Sequence, residues 1–169
     1  MHLFIEVIAA FFTALSFGVL FNMKGKNLIL AGIGGSIAWF SYKFLLNIGV
    51  TENLCFFIAT VCFAIYCELC ARIYMTPATT LSVCCLIILV PGYGIYNTMY
   101  SVLTNNYIKA VEYGVSTLSC ASSIALGLVF ITTVFRKVNL YGVLTKIKEN
   151  EKYKKSINKI KQQNRKIDF

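Results

Sequence analysis

Leu86 to Tyr100 reads LIILVPGYGIYNTMY and is an apolar helix that is interrupted in its middle. Pro91 has no N–H to donate to the carbonyl of Ile87, and its ring displaces that carbonyl, so a helix must kink or open there. Inside hydrocarbon, a freed carbonyl has to be satisfied by protein, polar side chains or water. The Pro91-Gly92 break therefore indicates either a structural kink or a buried site along a pathway.

The composition places the chain in a bilayer. Of its 169 residues 57% are hydrophobic, with a mean hydropathy of +0.69, and a soluble domain of this length could not bury so much apolar surface. The net charge is +9, and from Arg136 onward eleven Lys or Arg stand against three acidic residues, which gives +8. The basic character thus belongs to a tail beside a membrane, and no nucleic-acid partner is expected.

The hydrophobic pattern predicts an all-α integral membrane protein with about five transmembrane helices, the fourth broken at Pro91-Gly92, followed by a basic amphipathic C-terminal helix. Each apolar run is long enough at helical rise to cross the hydrocarbon. The predicted spans are Leu3 to Phe21, Leu28 to Leu46, Leu54 to about Ala71, a fourth from Thr76 through the break, and Val115 to Phe135, with Asn105, Asn106, Lys109 and Glu112 in the last loop.

Two domains are predicted, a transmembrane domain at residues 1–137 and a cytoplasmic basic tail at residues 138–169. Apolar residues recur in the tail at helical spacing with lysines between them, which suits an anionic lipid surface or a partner protein. A solvated tail is the alternative, because its charge is high. The positive-inside rule puts the tail in the cytoplasm and the N-terminus outside.

Small residues form two stripes that predict close helix packing. The second span carries GIGGS, and the fifth carries small or weakly polar residues spaced by four, three and four. For GIGGS, a backbone-lined substrate path is the alternative. The predicted packing seam comprises Gly32, Gly35, Ser36, Ser116, Ser123 and Gly127.

Ionisable residues of the third span and polar residues beside the break are the candidates for a functional site. Glu68 and Arg72 stand four apart, acid before base, which favours a pair on one helix face. Ionisable groups within a membrane are costly and commonly face the protein interior, although Arg72 is equally suited to anchoring at the interface. The predicted substrate pathway comprises Arg72, Glu68, Pro91, Gly92, Tyr93, Tyr96 and Asn97.

Seven cysteines all fall inside apolar stretches, which argues against a disulfide framework. Cys67 and Cys70 match the C-x-x-C redox spacing, but buried cysteine commonly packs as a small hydrophobe. The only histidine is His2, so no nucleophile with a base and an orienting group is evident. We predict no enzyme activity, no metal and no cofactor.

The order of these features resembles the small, YjjB-like component of the threonine/serine exporter family. LSFGVLFNMKGKNLILAGIGGS is similar to that component's first-helix end, turn and small-residue second helix. Arg72, Pro77 and ILVPGYGIYNTM are similar to the family's arginine, proline and Pro-Gly signature. Ala78 stands where the family often has a basic residue, and the lysine-rich tail has no counterpart.

The resemblance implies an export permease of the bacterial cytoplasmic membrane for small hydrophilic metabolites, namely threonine, serine or small dicarboxylates such as succinate. It also implies a larger membrane subunit as partner. Five spans enclose little space, so the chain is expected to need that partner or self-association within the bilayer to form a pathway. The alternatives are a membrane thiol enzyme using Cys67 and Cys70, and a non-transporting scaffold or regulatory protein that acts through its basic tail.

Overall fold

The computed structural model describes residues 2–137, which form six α-helices and no strand within that range. The predicted tail helix at residues 138–169 lies outside the described residues. Contacts divide the chain into residues 1–133 and 134–169. The helices are α1 (His2–Leu20), α2 (Lys26–Asn47), α3 (Glu52–Tyr74), α4 (Ala78–Leu89), α5 (Gly92–Leu103) and α6 (Tyr107–Lys137).

The predicted all-α membrane fold is confirmed. The helices α1, α2, α3 and α6 are each long and apolar enough to cross a membrane, and α4 with α5 makes a fifth candidate that is bent by 55°. The bend falls at Pro91, as the sequence predicts.

The direction of α6 favours a bent pair that crosses the membrane over one that re-enters on the same side. Near the start of α3, the thiol of Cys120 donates a hydrogen bond to Asn53 Oδ1 at 3.3 Å. Further along, a Cβ built on Gly127 would lie 3.0 Å from Thr60 Cβ and 3.1 Å from Phe57 O. Since the residue numbers rise together, α3 and α6 run parallel, and the pair between them must return the chain to the side where α3 begins.

The length of the pair agrees with this. Twelve residues of α4 rise about 18 Å, and twelve of α5 inclined at 55° add about 10 Å, which with the break approaches the ~30 Å of a bilayer's hydrocarbon. With the pair counted as one span there are five candidate spans, and an odd number would put the two ends of the membrane region on opposite sides.

One predicted boundary is wrong. Lys109 and Glu112 lie in α6, which begins at Tyr107, instead of in the preceding loop. The cause is a local cap: Lys109 N–H donates to Asn106 Oδ1 at 3.4 Å, and Asn105 takes a left-handed conformation with φ of 56°. An asparagine that accepts from the first turn is a favourable helix start, so α6 begins about two turns before its apolar run.

The glycine-rich segment of α2 lies against two neighbouring helices. A Cβ built on Gly32 would lie 2.7 Å from the Phe11 ring of α1, and one on Gly35 would overlap Ile88 of α4. Ser36 Oγ donates to Val7 O of α1 at 3.4 Å. These residues let α1 and α4 approach the backbone of α2, which places α2 at the centre of the described helices.

Candidate functional site

The backbone at the break is held open by local chemistry. Val90 has φ of −57° and ψ of 128°, outside the helical region, as expected for a residue before proline. Its N–H donates to Ile87 O at 3.3 Å, and Gly92 N–H donates to Val90 O at 2.7 Å. The helix resumes with Ile95 N–H on Pro91 O at 3.2 Å. The regular hydrogen bonding of the helix therefore stops at Val90 and Pro91, and a new helix begins in a different direction.

A cavity of about 440 Å³ opens beside this break. Its volume lies within the range of small-molecule sites. One wall is the broken backbone itself, and the other walls come from the C-terminal half of α2, the start of α3 and the second to fourth turns of α6. The lining residues are Trp39, Tyr42, Glu52, Phe56, the segment 88–94, Tyr113, Ser116, Thr117 and Cys120.

Aromatic side chains build the wall opposite the break. Tyr42 stacks on Phe56 with ring centroids 4.6 Å apart, and Trp39 lies 5.6 Å from Tyr42. The hydroxyl of Tyr42 donates to Glu52 Oε1 at 3.5 Å. The exposed Glu52 thus places a carboxylate at the mouth of an aromatic cavity.

Trp39 is fixed by a charged pair behind it. Its indole N–H donates to Glu6 Oε2 at 3.0 Å, and Lys43 Nζ lies 3.1 Å from the same oxygen. Lys43 also lies 5.5 Å from the centroid of the Trp39 ring. The charges of α1 and α2 therefore balance each other beside the cavity, and Lys43 does not line it.

The structure brings together only part of the predicted pathway. Pro91, Gly92 and Tyr93 line the cavity, whereas Tyr96 and Asn97 lie further along α5 and do not. Tyr96 is exposed and stacks on Tyr100 at 6.2 Å.

Glu68 and Arg72 lie far from the cavity. Arg72 Nε is 3.7 Å from Glu68 Oε2, and the two side chains are only 11% and 17% exposed. Arg72 stands twenty residues after Glu52 on the same helix, about 30 Å along it. The acid and base do face each other as their spacing indicates, but at the opposite end of α3 from the break.

The predicted packing residues of α6 have two different surroundings. Gly127 is buried against Thr60 of α3, and Ser123 Oγ donates within its own helix to Ser119 O at 3.0 Å. Ser116 lines the cavity. The GIGGS seam and Gly127 are thus both covered by helices of the same chain.

Three of the cysteines pack as small apolar groups where α3 meets α4. Cys67, Cys84 and Cys85 are fully buried, and the Sγ atoms of Cys67 and Cys85 lie 3.7 Å apart as free thiols. Within residues 2–137, no cluster of three or more His, Cys, Asp or Glu has the arrangement to hold a metal ion. Cys67 therefore faces another helix instead of pairing with Cys70.

The sequence did not single out Glu52, Trp39 or Tyr42 as site residues. Glu52 reads as a loop residue, and Trp39 and Tyr42 read as ordinary residues of an apolar span. A usable signal was nevertheless present: all three lie toward the connection between α2 and α3, and the break lies beyond the bilayer midplane as counted from the start of α4, toward that same side.

These features define a multi-pass helical membrane protein with a polar-mouthed cavity at a broken helix, an arrangement typical of transporters. The sequence model of the family described as "Threonine/Serine exporter, ThrE" matches residues 6–134. The chain belongs to this threonine/serine exporter family, which is a transporter family and not an enzyme class. No curated protein and no solved structure matches the chain.

Proposed function

We propose that the chain is a subunit of a membrane exporter for small hydrophilic metabolites, either threonine/serine-type amino acids or small dicarboxylates such as succinate, and that it works with a larger membrane partner. The family match supports export of the threonine/serine type. The observation that carries the proposal is the cavity of about 440 Å³ at the Pro91-Gly92 break.

The break supplies polar backbone groups that can bind a polar solute in the cavity. Freed backbone groups and the positive end of the α5 dipole meet at Gly92 to Gly94, and a discontinuous helix commonly offers such groups to substrates or ions. A Cβ built on Gly92 would meet no atom within 4 Å, so this backbone is open. In the proposed cycle, the solute contacts the break, and movement of α5 relative to α4 changes the side from which the cavity is reached.

The proposed partner contact lies on α5. Because Gly32, Gly35 and Gly127 are covered within the chain, these three glycines offer no room to another helix. In contrast, Tyr93, Tyr96, Met99, Tyr100 and Leu103 of α5 are all exposed. Tyrosine hydroxyls in a membrane gain from polar partners, so a helix of the larger subunit is proposed to pack there, with self-association as the alternative.

We place the protein in the bacterial cytoplasmic membrane with its C-terminal tail in the cytoplasm. The parallel course of α3 and α6 supports the odd number of crossings that this orientation needs. The excess of Lys and Arg after residue 135 supports the cytoplasmic side.

Reconstitution tests the proposal directly. The chain is purified in mild detergent alone and with its co-expressed neighbour, and each preparation is placed in liposomes loaded with labelled threonine, serine or succinate. We expect efflux only when the neighbour or a homo-oligomer is present, because the few spans of one chain do not enclose a complete path for a polar solute across the bilayer. Efflux from liposomes that contain only monomers would contradict the need for a partner, and no efflux of any solute from the co-purified complex would contradict the exporter function.

Arg72 and Glu68 are expected to act as a structural pair. Either single change, Arg72→Gln or Glu68→Gln, leaves an opposite charge in a largely buried position, so each should lower the yield of folded protein several-fold. The swapped double variant, Glu68→Arg with Arg72→Glu, should recover most of that yield. Export per folded molecule should stay near the wild-type value in all three variants. A loss of export in Arg72→Gln alone, at normal yield, would instead indicate a contact with substrate.

A further inference from the structure

The charged side chains of the cavity lining are all of one sign, negative. Glu52 is the only ionisable acid or base of the Asp, Glu, Lys, Arg or His type among the residues that line it within the described part of the chain. Five aromatic residues line the same space, namely Trp39, Tyr42, Phe56, Tyr93 and Tyr113. The cavity therefore combines one carboxylate with several ring faces and offers no cationic side chain.

This combination favours a cation. A carboxylate forms strong charge-assisted hydrogen bonds with an ammonium group, and the negative faces of aromatic rings attract the same charge. A solute with two carboxylates would bring like charge to Glu52 and find no Lys or Arg in the lining to balance it. The lining thus discriminates by the charge of the solute.

Neighbouring residues fix the orientation of Glu52 and Trp39. Tyr42 holds Glu52 through its hydroxyl at 3.5 Å and is itself stacked on Phe56. Trp39 is fixed by its 3.0 Å hydrogen bond to Glu6. Since Lys43 is already paired with Glu6 at 3.1 Å, it neutralises that acid and leaves the charge of Glu52 to the cavity.

We propose that Glu52 binds the primary ammonium group of the transported solute, with the rings of Trp39 and Tyr42 as its aromatic walls. This inference rests on the proposed exporter function and narrows its substrate to ammonium-bearing molecules such as amino acids. Dicarboxylates such as succinate are then not substrates of this cavity. Glu52 acts as a specificity-determining residue, and Tyr42 acts through it as a positioning residue.

Tryptophan fluorescence can report binding in this cavity. Trp39 is the only tryptophan, and it lines the cavity. Its fluorescence is titrated in purified full-length protein with L-threonine, isopropylammonium chloride and sodium succinate, and equilibrium dialysis with labelled threonine measures the same Kd independently. We expect saturable binding of threonine and isopropylammonium and none of succinate.

Variants then separate the role of Glu52 from general effects. Glu52→Gln keeps the shape but removes the charge, so it should weaken threonine binding at least about tenfold. Tyr42→Phe keeps the ring and should weaken it by about two- to fivefold. Glu112→Gln is the matched control, because Glu112 is an exposed acid of α6 that does not line the cavity, and its Kd should equal that of the wild type.

The outcomes distinguish this inference from the exporter function itself. Unchanged threonine binding in a folded Glu52→Gln variant, saturable succinate binding, or no binding of any probe by either method would each overturn the ammonium site. Efflux from the co-purified complex in liposomes would still uphold the exporter in all three cases. Absence of efflux would overturn the exporter whatever the Kd values.

Discussion

Replacing Pro91 by alanine is expected to lower threonine export at least about tenfold while the protein still accumulates in the membrane. The new N–H at residue 91 can donate to Ile87 O, and Val90 is no longer kept out of the helical region. Residues 78–103 would then form one helix of about 39 Å. Because the backbone of residues 88–94 is one wall of the cavity, its straightening should remove the space for a solute.

The measurement is the initial rate of labelled threonine efflux per molecule in the membrane. Pro77→Ala is the matched control: Pro77 precedes α4 and does not line the cavity, so export should stay within about twofold of the wild type. Normal export by a well-expressed Pro91→Ala variant would show that the break is only a kink. A low yield of the variant would be separated from lost transport by expressing the rate per folded molecule.

The break and the spans could be predicted because their causes are local. A proline that lacks an N–H interrupts a helix wherever it stands inside one, and long apolar runs have few alternatives to spanning a bilayer. The charge pair of Glu68 and Arg72 also follows from spacing along one helix. For the same reason, the first residues of α6 were misassigned: the cap at Asn106 carries less weight in a hydrophobicity pattern than the two charges that follow it.

The composition of the site could not be predicted because it depends on register between helices. Glu52, Trp39 and Tyr42 stand 39 or more residues before Pro91, and only the packing of α2 and α3 beside α4 brings them to it. Arg72 attracts attention as a buried charge, yet its position on α3 puts it about 30 Å from Glu52. Counting residues along α3 to estimate how deep each one lies in the membrane would have shown that Glu52 and Arg72 are at opposite ends. Their residue types alone do not show it.

The largest loss of stability is expected for substitutions of Gly35. A Cβ built there would overlap Ile88 Cδ1 and lie 2.6 Å from Ala14 Cβ and 3.3 Å from Ala10 O. Ile88 can change its rotamer, but Ala14 Cβ and the Ala10 carbonyl move only if α1 moves. Gly35→Ala should therefore lower the free energy of unfolding by about 1–3 kcal/mol, although alanine is the better helix former. Gly35→Leu should leave no monodisperse folded protein after extraction.

Gly114→Ala, the same substitution at another position, is expected to change the stability in the opposite direction. Gly114 lies inside α6, and the nearest atom to an added Cβ would be Thr98 Cγ2 at 3.6 Å, an ordinary contact. Without a clash, the gain in helix propensity should stabilise the protein by up to about 1 kcal/mol. Thermal unfolding in detergent should thus show a lower Tm for Gly35→Ala and an equal or higher Tm for Gly114→Ala. Equal shifts in both variants would mean that α1 and α2 are not in close contact at Gly35, and the central position of α2 would have to be abandoned.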